Sequence, residues 1–388
     1  MSKKKELVPK RRFKEFENAP AWKQRKLGDL AEIKTGESDA QDAVEEGKFP
    51  FFVRSEIIER SDKYLFDGEA ILVPGEGRLG EIFHYYNGKF DFHQRVYKIS
   101  NFINDVTGNF VLYAMQHSFK AHALKYTVKA TVDSLRMPML TEYQISTPNI
   151  EEQQEITQHL KNLDNIITRH QRKLEKMKEL KKSYLSEMFP AEGERKPKRR
   201  FAGFTDDWEQ RKFGDFFDPI PNNSLSRANL NYSRGKIKNI HYGDILINFG
   251  DILKYDDQKI PYITDARLID YHNQLLKDGD IIIADAAEDH SVGKAIEIIG
   301  VYQNYIVAGL HTIACRPREK VHPRFMGYLM NSSAYQNQLL SIMQGIKVFS
   351  VSRTNLADTL FHVPLENQEQ GKIASLFSNL DNLITLHQ

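Results

Sequence analysis

The feature that most constrains this 388-residue chain is that its framing segments are written twice. Pro9-Lys10-Arg11-Arg12-Phe13, followed by Phe16, recurs as Pro197-Lys198-Arg199-Arg200-Phe201, followed by Phe204. Trp22-Lys23-Gln24-Arg25-Lys26-Leu27-Gly28-Asp29 recurs as Trp208-Glu209-Gln210-Arg211-Lys212-Phe213-Gly214-Asp215, and these hold the chain's only two tryptophans. A third match closes each copy: Leu163-Asp164-Asn165-Ile166-Ile167-Thr168 against Leu380-Asp381-Asn382-Leu383-Ile384-Thr385. A fold built from this sequence has to be two related units.

Between the matched ends the copies diverge. Trp22 to Pro148 spans 126 positions and Trp208 to Pro364 spans 156, so the second interior is 30 longer. A common plan still shows in Gly68–Val73 against Gly279–Ala284 and in Asn109–Met115 against Arg324–Met330. Short Val/Ile/Phe/Tyr runs bounded by Gly, Pro and Asn predict strands at Ile82–Tyr86 before an Asn87-Gly88 turn, Val96–Ile99, Ile245–Phe249 and Ile281–Ala284. Helices are expected at Asn109–Ala123 and Arg324–Met343. The interiors therefore read as mostly β, in an α+β chain.

After Pro148 the segment Glu151–Met188 contains no Gly or Pro and places Ile156, Leu160, Leu163, Ile167, His170, Leu174 and Met177 at alternating four- and three-residue steps. That spacing predicts a coiled-coil seam on a helix of roughly 55 Å. Ile373, Phe377, Leu380, Ile384 and His387 repeat the same steps, without counterparts of Leu174, Met177, Leu180 and Tyr184. The distal helix is thus expected to be short, with part of the first stripe exposed or covered by another copy or a partner. His170 and His387 read as polar seam residues that set register rather than as ligands.

Composition removes several classes. With 54 basic and 52 acidic residues the net charge is +2, so nucleic-acid contact has to come from local patches. Two are evident, KKKELVPKRR near the start and ERKPKRR at Glu194–Arg200, each also explicable as a solvated tail or linker. A lone Cys315 offers neither a disulfide nor a thiolate metal site and reads as core. No apolar run of membrane-spanning length or signal segment is apparent, and a cytoplasmic location is expected. Gly75-Glu76-Gly77-Arg78-Leu79-Gly80 matches a dinucleotide fingerprint literally. The next residues, Glu81–Tyr86, read as a strand, however, not the helix that would receive a phosphate, so a tight turn presenting Arg78 is the better reading.

Two variable β-rich interiors, each followed by a long helix and joined by a basic linker, resemble the specificity (S) subunit of type I restriction-modification systems. The resemblance rests on Trp22–Leu30, its echo at Trp208, and the helix entry Pro148-Asn149-Ile150-Glu151-Glu152-Gln153-Gln154, with a looser counterpart at Pro364–Gln370. It implies a pseudo-twofold tandem repeat. A basic arm and first target recognition domain would occupy 1–148, a central coiled-coil helix 149–189, a basic linker 190–207, a second target recognition domain 208–364 and a shortened distal helix 365–388. It implies a chain without catalysis or cofactor of its own that reads split duplex DNA. Two methyltransferase (M) subunits carrying S-adenosylmethionine would modify adenine, and motor-nuclease (R) subunits using ATP and magnesium would cleave.

Base edges in the major groove favour Arg or Lys for guanine and Asn or Gln for adenine. Candidate DNA-binding residues are Arg54, Arg78, His93, Gln94, Arg95, Lys125, Lys129 and Arg136 in the first interior. In the second they are Arg227, Asn229, Arg234, Lys236, Lys254, Lys259, His290, Lys347 and Arg353, with Ser224–Lys238 the strongest single segment. The competing reading is a coiled-coil scaffold whose two β domains bind proteins.

Overall fold

The computed structural model describes residues 7–126, 134–345 and 347–387. The chain divides into two compact units, Met1–Thr168 and Arg169–Gln388. Unit 1 contains β1 (Lys23–Lys26), α1 (Leu27–Leu30), β2 (Glu32–Thr35), β3 (Phe49–Phe52), β4 (Ile58–Ser61), β5 (Phe66–Pro74), β6 (His84–Phe92) and β7 (Val96–Ser100). It continues through α2 (Gly108–Ala123), α3 (Met137–Thr141) and β8 (Gln144–Thr147) into the first half of α4 (Ile150–Glu187). Six strands form one sheet in the order β2-β7-β5-β6-β3-β4. Side chains alternate across it: Ile71 and Val73 of β5 join α2 residues Val111, Met115 and Phe119 in one core, and Ala70 and Leu72 join Phe52 and Phe90 in another.

Unit 2 begins with the second half of α4 and runs through β9 (Glu209–Lys212), α5 (Phe213–Phe216), β10 (Phe217–Ile220), β11 (Leu230–Asn231), β12 (Ile237–Ile240), α6 (Tyr242–Ile247), β13 (Ile252–Lys254) and β14 (Tyr262–Ile263). There follow β15 (Ile281–Ala284), β16 (Ala286–Ala287), β17 (Ala295–Ile299), β18 (Tyr305–Ala308), β19 (Thr312–Pro317), α7 (Phe325–Met330), α8 (Ser333–Ile342), β20 (Phe349–Ser350), α9 (Arg353–Ala357), β21 (Leu360–Val363) and α10 (Asn367–Leu386). Its larger sheets are β10-β19-β15-β17-β13 and β11-β14-β12-β18. Cys315 is core, as expected, and burial pushes its thiol pKa up.

Three local expectations are corrected. Asn87-Gly88 makes no hairpin: β6 runs straight through it, with Gly88 (φ +138°) directly opposite Gly68 (φ +146°), a pairing of backbone conformations that glycine tolerates. Ile245–Phe249 is not a strand. It falls largely in α6, started by His241, whose Nδ1 accepts from Gly243 N–H (3.3 Å), and anchored by buried Asp244. Arg324–Met343 is two helices, because the Asn331 side chain is drawn to the Ala295 backbone and Ser332 caps α8 through Tyr335 N–H (3.3 Å).

The repeated residues build the same bonded frame in each unit. Arg12 binds the Glu152 carboxylate through Nε (2.7 Å) and Nη2 (2.6 Å), and the Trp22 indole N–H reaches the same carboxylate (3.3 Å). Arg200 binds Glu369 at 2.7 and 2.8 Å, joined by the Trp208 indole (3.4 Å). Next in each helix, Gln153 spans Thr107 N–H and the Pro148 carbonyl, and Gln370 spans His322 N–H and the Pro364 carbonyl. The opening and closing strands pair antiparallel, Lys23 opposite Thr147 in one copy and Glu209 opposite Val363 in the other. Gly28 and Gly214 are fixed by close approach, since an added Cβ would lie 3.0 Å from the Thr141 side chain or 3.1 Å from that of Ala357.

The basic segments are thereby reassigned in part. Arg12 and Arg200 point inward as buried partners of a helix carboxylate, with side chains only 6% and 14% exposed. The helices match expectation in extent, but the seam is buried unevenly. Ile373, Phe377 and Leu380 lie in the unit 2 core, Ile156 packs at the edge of the unit 1 core, and Leu160, Leu174, Met177 and Ile384 are half-buried. Leu163 and Ile167 are 42% and 53% exposed. Along that stretch of α4 helix α2 reaches Asp164 through the Tyr113 hydroxyl (2.6 Å) without burying Leu163 or Ile167. His170 meets its repeat counterpart His387 within unit 2, Nδ1 to Nδ1 at 2.9 Å.

Glu369→Ala leaves Arg200 and the Trp208 indole without their acceptor and is expected to cost about 3 kcal/mol in urea unfolding. Glu369→Gln, which retains one acceptor, should cost less. A second outcome concerns Glu297, whose carboxylate takes the N–H groups of Arg324 (2.5 Å) and Gly327 (2.9 Å) at the start of α7. Burial outweighs those bonds and pushes its pKa up to about 7 from 4.5. The native state then holds a proton that the unfolded chain releases, so stability should fall as pH rises through that window. Urea midpoints at about pH 5 and about pH 7.5 check this, and Glu297→Gln should flatten the difference.

Candidate nucleic-acid interface

Each unit gathers loops at the end of its main sheet where β5, or β15, ends. In unit 1 the β6–β7 turn, the segment after β3 and the Gly75–Gly80 turn converge. Gly75 N–H donates to the Arg95 carbonyl (2.8 Å), and Leu135 N–H donates to the Gly75 carbonyl (2.7 Å), which brings Arg136 alongside. Glu76 ties the cluster: Arg54 binds one carboxylate oxygen (2.9 Å) and Arg95 the other. Both guanidinium groups remain about half exposed, 47% and 58%, with donors still available. An open cleft of about 460 Å³ lies between Arg54, Ser55, Glu76, Gly77 and His93.

Arg78 projects from the turn and is held by Glu56 (2.6 Å) and Glu81 (3.0 Å), which raise its pKa, the Glu81 bond contributing most. Gly77 (φ +85°) and Gly80 (φ +65°) supply the turn geometry, and the chain enters strand β6, not a helix. The dinucleotide reading therefore lacks its phosphate-holding element. Gln94 is exposed at the tip of the β6–β7 turn, its N–H bonded to the Ser38 carbonyl (2.8 Å).

His93 is the correction within this set. It is 2% exposed, so although it borders the cleft it presents very little surface there. Its Nδ1 accepts from Arg95 N–H (3.0 Å), which leaves Nε2 to donate to Asp39 (3.1 Å). His93 is a positioning residue that shapes the turn carrying Gln94 and Arg95. Beneath it, buried Asp91 accepts from Ser38 (2.7 Å) and Ser61 (3.0 Å) and ties the flanking segments to β6. Lys125 is exposed just beyond the end of α2, and Lys129 lies outside the described residues.

Unit 2 builds the same crossing with different side chains. Asp285 N–H donates to the His311 carbonyl (3.1 Å) and Val351 N–H to the Asp285 carbonyl (2.9 Å), so Asp285 and His311 stand where Gly75 and Arg95 stand in unit 1. Burial raises the Asp285 pKa, opposed by His311, which it contacts at 3.2 Å. Arg353 follows Val351 and bonds the Ile220 carbonyl (3.0 Å), and His290 lies against Phe349 (centroids 4.9 Å). Tyr242 meets His311 edge-on, bringing in α6.

The Ser224–Lys238 segment is anchored at Arg227, which binds buried Asp244 (2.8 Å) and the Tyr232 hydroxyl (3.2 Å). Asn229 accepts from Ser226 (3.2 Å). Arg234, Lys236 and Lys347 are exposed and in no ion pair among the described residues. Lys254 stands apart from these loops, on a cleft shared with Asp256 and Asp381 of the frame. Lys259 is exposed on the β13–β14 connection.

Sequence reasoning missed Glu76, Asp285, His311 and Tyr242. The first is an acid, overlooked in a search for cations, and His311 becomes visible only when the two sheets are superimposed through their hydrogen bonds. Among the described residues no group of three or more His, Cys, Asp or Glu side chains could hold a metal ion, and no helix is long and apolar enough to cross a membrane.

Loops of dissimilar sequence thus sit on equivalent frames, each with exposed donors able to bond phosphates or base edges. His93→Ala should speed hydrogen exchange at the Arg95 and Val96 amides while leaving β5 protected, the pattern expected of a residue that shapes one turn.

Comparison with known proteins gives one consistent family. A family model described as type I restriction modification DNA specificity domain matches residues 20–198 and again 205–388. The EcoDI specificity subunit of Escherichia coli is 26% identical over 211 residues, 53% of this chain but only 44% of that protein. The MjaVIII specificity subunit of Methanocaldococcus jannaschii is 23% identical over 389 residues, 94% of this chain and 87% of that protein. In fold, the chain is similar to a type I restriction-modification S subunit from M. genitalium (TM-score 0.62, 16% identity, 98% of this chain and 93% of that one). It is also similar to a chain from a study of complex assembly and conformational transition of the type I R-M system (TM-score 0.52, 15% identity, 94% and 91%).

Proposed function

Because the chain belongs to the type I restriction-modification DNA specificity family, whose domain it carries twice, we propose that it reads a two-part duplex DNA target, one half with each unit. The observation that carries this reading is the pairing of equivalent frames with non-equivalent loops. Arg54, Arg78, Gln94, Arg95 and Arg136 are presented by one unit, and Arg227, Asn229, Arg234, Lys236, His290, Lys347 and Arg353 by the other. Lys254, on the cleft with Asp256 and Asp381, suits a phosphate contact better than base readout, and exposed Lys125 and Lys259 can serve either purpose. The continuous helix α4 serves as the ruler between the half-sites.

The chain performs no chemistry itself. Methyl transfer to adenine belongs to two M subunits that bring S-adenosylmethionine and dock on the frames and helices. Cleavage belongs to R subunits that bring ATP and magnesium. Such an assembly works in the cytoplasm, where genomic DNA is.

Co-expression with an M subunit, followed by genome-wide mapping of methylated adenine, tests the reading. The expected outcome is one bipartite motif with a constant gap. Uniform absence of methylation together with salt-insensitive DNA affinity of the M–S assembly would favour a protein-binding scaffold instead. Arg95→Ala together with Gln94→Ala is expected to relax the first half-site and leave the second intact. Inserting four residues between Leu174 and Leu180 adds about 6 Å of helix. That should lengthen the gap by roughly two base pairs, with both half-sites unchanged; altered half-sites would sink the ruler.

A further inference from the structure

Unit 2 carries a second concavity at the other end of its five-stranded sheet, where β15 begins and β17 and β19 finish. It is an open cleft of about 960 Å³, bounded on its far side by the β19–α7 connection and by Ala374 and Ser375 of α10. That is the size of a small-molecule site, and none of the residues that form the reading loops lines it. Lys277 and Lys320 line it, exposed and in no ion pair among the described residues. Arg316 joins them, braced by buried Asp280 through Nε (2.7 Å) and Nη2 (2.7 Å). Its Nη1 makes no hydrogen bond among the described residues, and its side chain is 35% exposed. The acids of the lining are mostly engaged elsewhere: Asp278 accepts the Val301 N–H (2.7 Å), Glu319 binds Arg211 (3.3 Å), and Glu297 takes the N–H groups of Arg324 and Gly327. Asp256 alone is left without a bonded partner among the described residues.

Tyr302, in the β17–β18 turn, adds a ring to this rim. It is 88% exposed, and its backbone (φ +48°) lies in the left-handed region that a bulky side chain occupies only under strain. The turn is fixed from both sides, by the Val301 N–H on Asp278 and by the Asn304 N–H on the Val301 carbonyl (2.9 Å). The ring folds back over the cleft wall, since a Cβ added to Gly300 would lie 3.9 Å from Tyr302 Cε2. Neither burial nor backbone ease accounts for a tyrosine there, whereas the flat face of a ligand does.

We infer that this cleft binds a free nucleoside polyphosphate, its base stacked on Tyr302 and its phosphates held by Arg316, Lys277 and Lys320. A braced guanidinium with an open nitrogen, flanked by two unpaired lysines, matches phosphate oxygens. One exposed ring serves one base, whereas a nucleic-acid strand needs successive rings for successive bases. The cleft and the reading loops lie at opposite ends of one sheet, so occupancy of the cleft does not rest on DNA reading.

The test is isothermal titration calorimetry of the full chain, without DNA or added magnesium, against each of the four common ribonucleoside triphosphates and against inorganic tripolyphosphate. Saturable one-site binding by at least one nucleotide is expected, about tenfold tighter than tripolyphosphate because only the nucleotide has a base to stack. Tyr302→Ala should remove that advantage and leave tripolyphosphate binding as it was, while Tyr302→Phe retains it. Lys277→Glu together with Lys320→Glu should abolish binding of both ligands. Circular dichroism establishes that the variant chains are folded. Absence of saturable binding by all four nucleotides, equal affinity for tripolyphosphate, or indifference to Tyr302→Ala overturns the inference. So does loss of binding in an Arg234→Ala, Lys236→Ala chain, which would put the anion on the reading loops instead.

Discussion

A single buried carboxylate in each unit, Glu152 or Glu369, decides where everything around it goes. It stands in the first turn of its helix, where the helix dipole favours a negative charge, and accepts an arginine fork and an indole N–H together. The arginine comes from the basic segment and the tryptophan from just before the first strand of the frame, so two neighbouring stretches are pinned to a helix 140 or 169 positions from the arginine. A charge removed from water is tolerated only when its bonds are satisfied, and this geometry satisfies it, Arg12 reaching the Ala19 and Pro20 carbonyls as well. The adjacent glutamine closes the helix entry through backbone groups on either side, which fixes direction as well as position.

From that point outward the units differ. The frame requires its residues by identity: a fork-shaped donor, an indole, a glycine with a neighbour about 3 Å from where its Cβ would be. The interior requires only that strands alternate and loops reach the surface. Two sheets of different order and strand number meet the same frame, and the crossing at Gly75 or Asp285 recurs through backbone bonds made at residues of different type.

This division also explains what could be read from the residues. The duplication, the extent of α4 and strands such as β7 and β15 were legible because each follows from a local period or a literal match. The errors came where a local signal was overruled. Asn87-Gly88 carries the letters of a turn, yet sits opposite Gly68 within a ladder. Ile245–Phe249 has a strand's composition, yet Asp244 and the His241 cap bend it into a helix. Arg12 and Arg200 look like DNA-seeking charge, and nothing near them in sequence reveals an acid 140 or 169 positions away. In the candidate interface, exposed arginines could be anticipated from residue type, whereas Glu76 and His311 needed the third dimension, and His93 proved to be buried beneath the turn it supports.

The antiparallel pairing of each unit's first strand with its last has an evolutionary consequence. Because Lys23–Lys26 lies against Gln144–Thr147, and Glu209–Lys212 against Leu360–Val363, the two junctions of every interior are neighbours in space. Closing a longer loop between fixed ends costs only a logarithm of its length, so exchanging one interior for another of different size asks almost nothing of the helix downstream. Recombination at the frame boundaries would then produce intact chimaeras rather than misfolded ones, and new readers could be acquired whole, by transplantation instead of by gradual substitution.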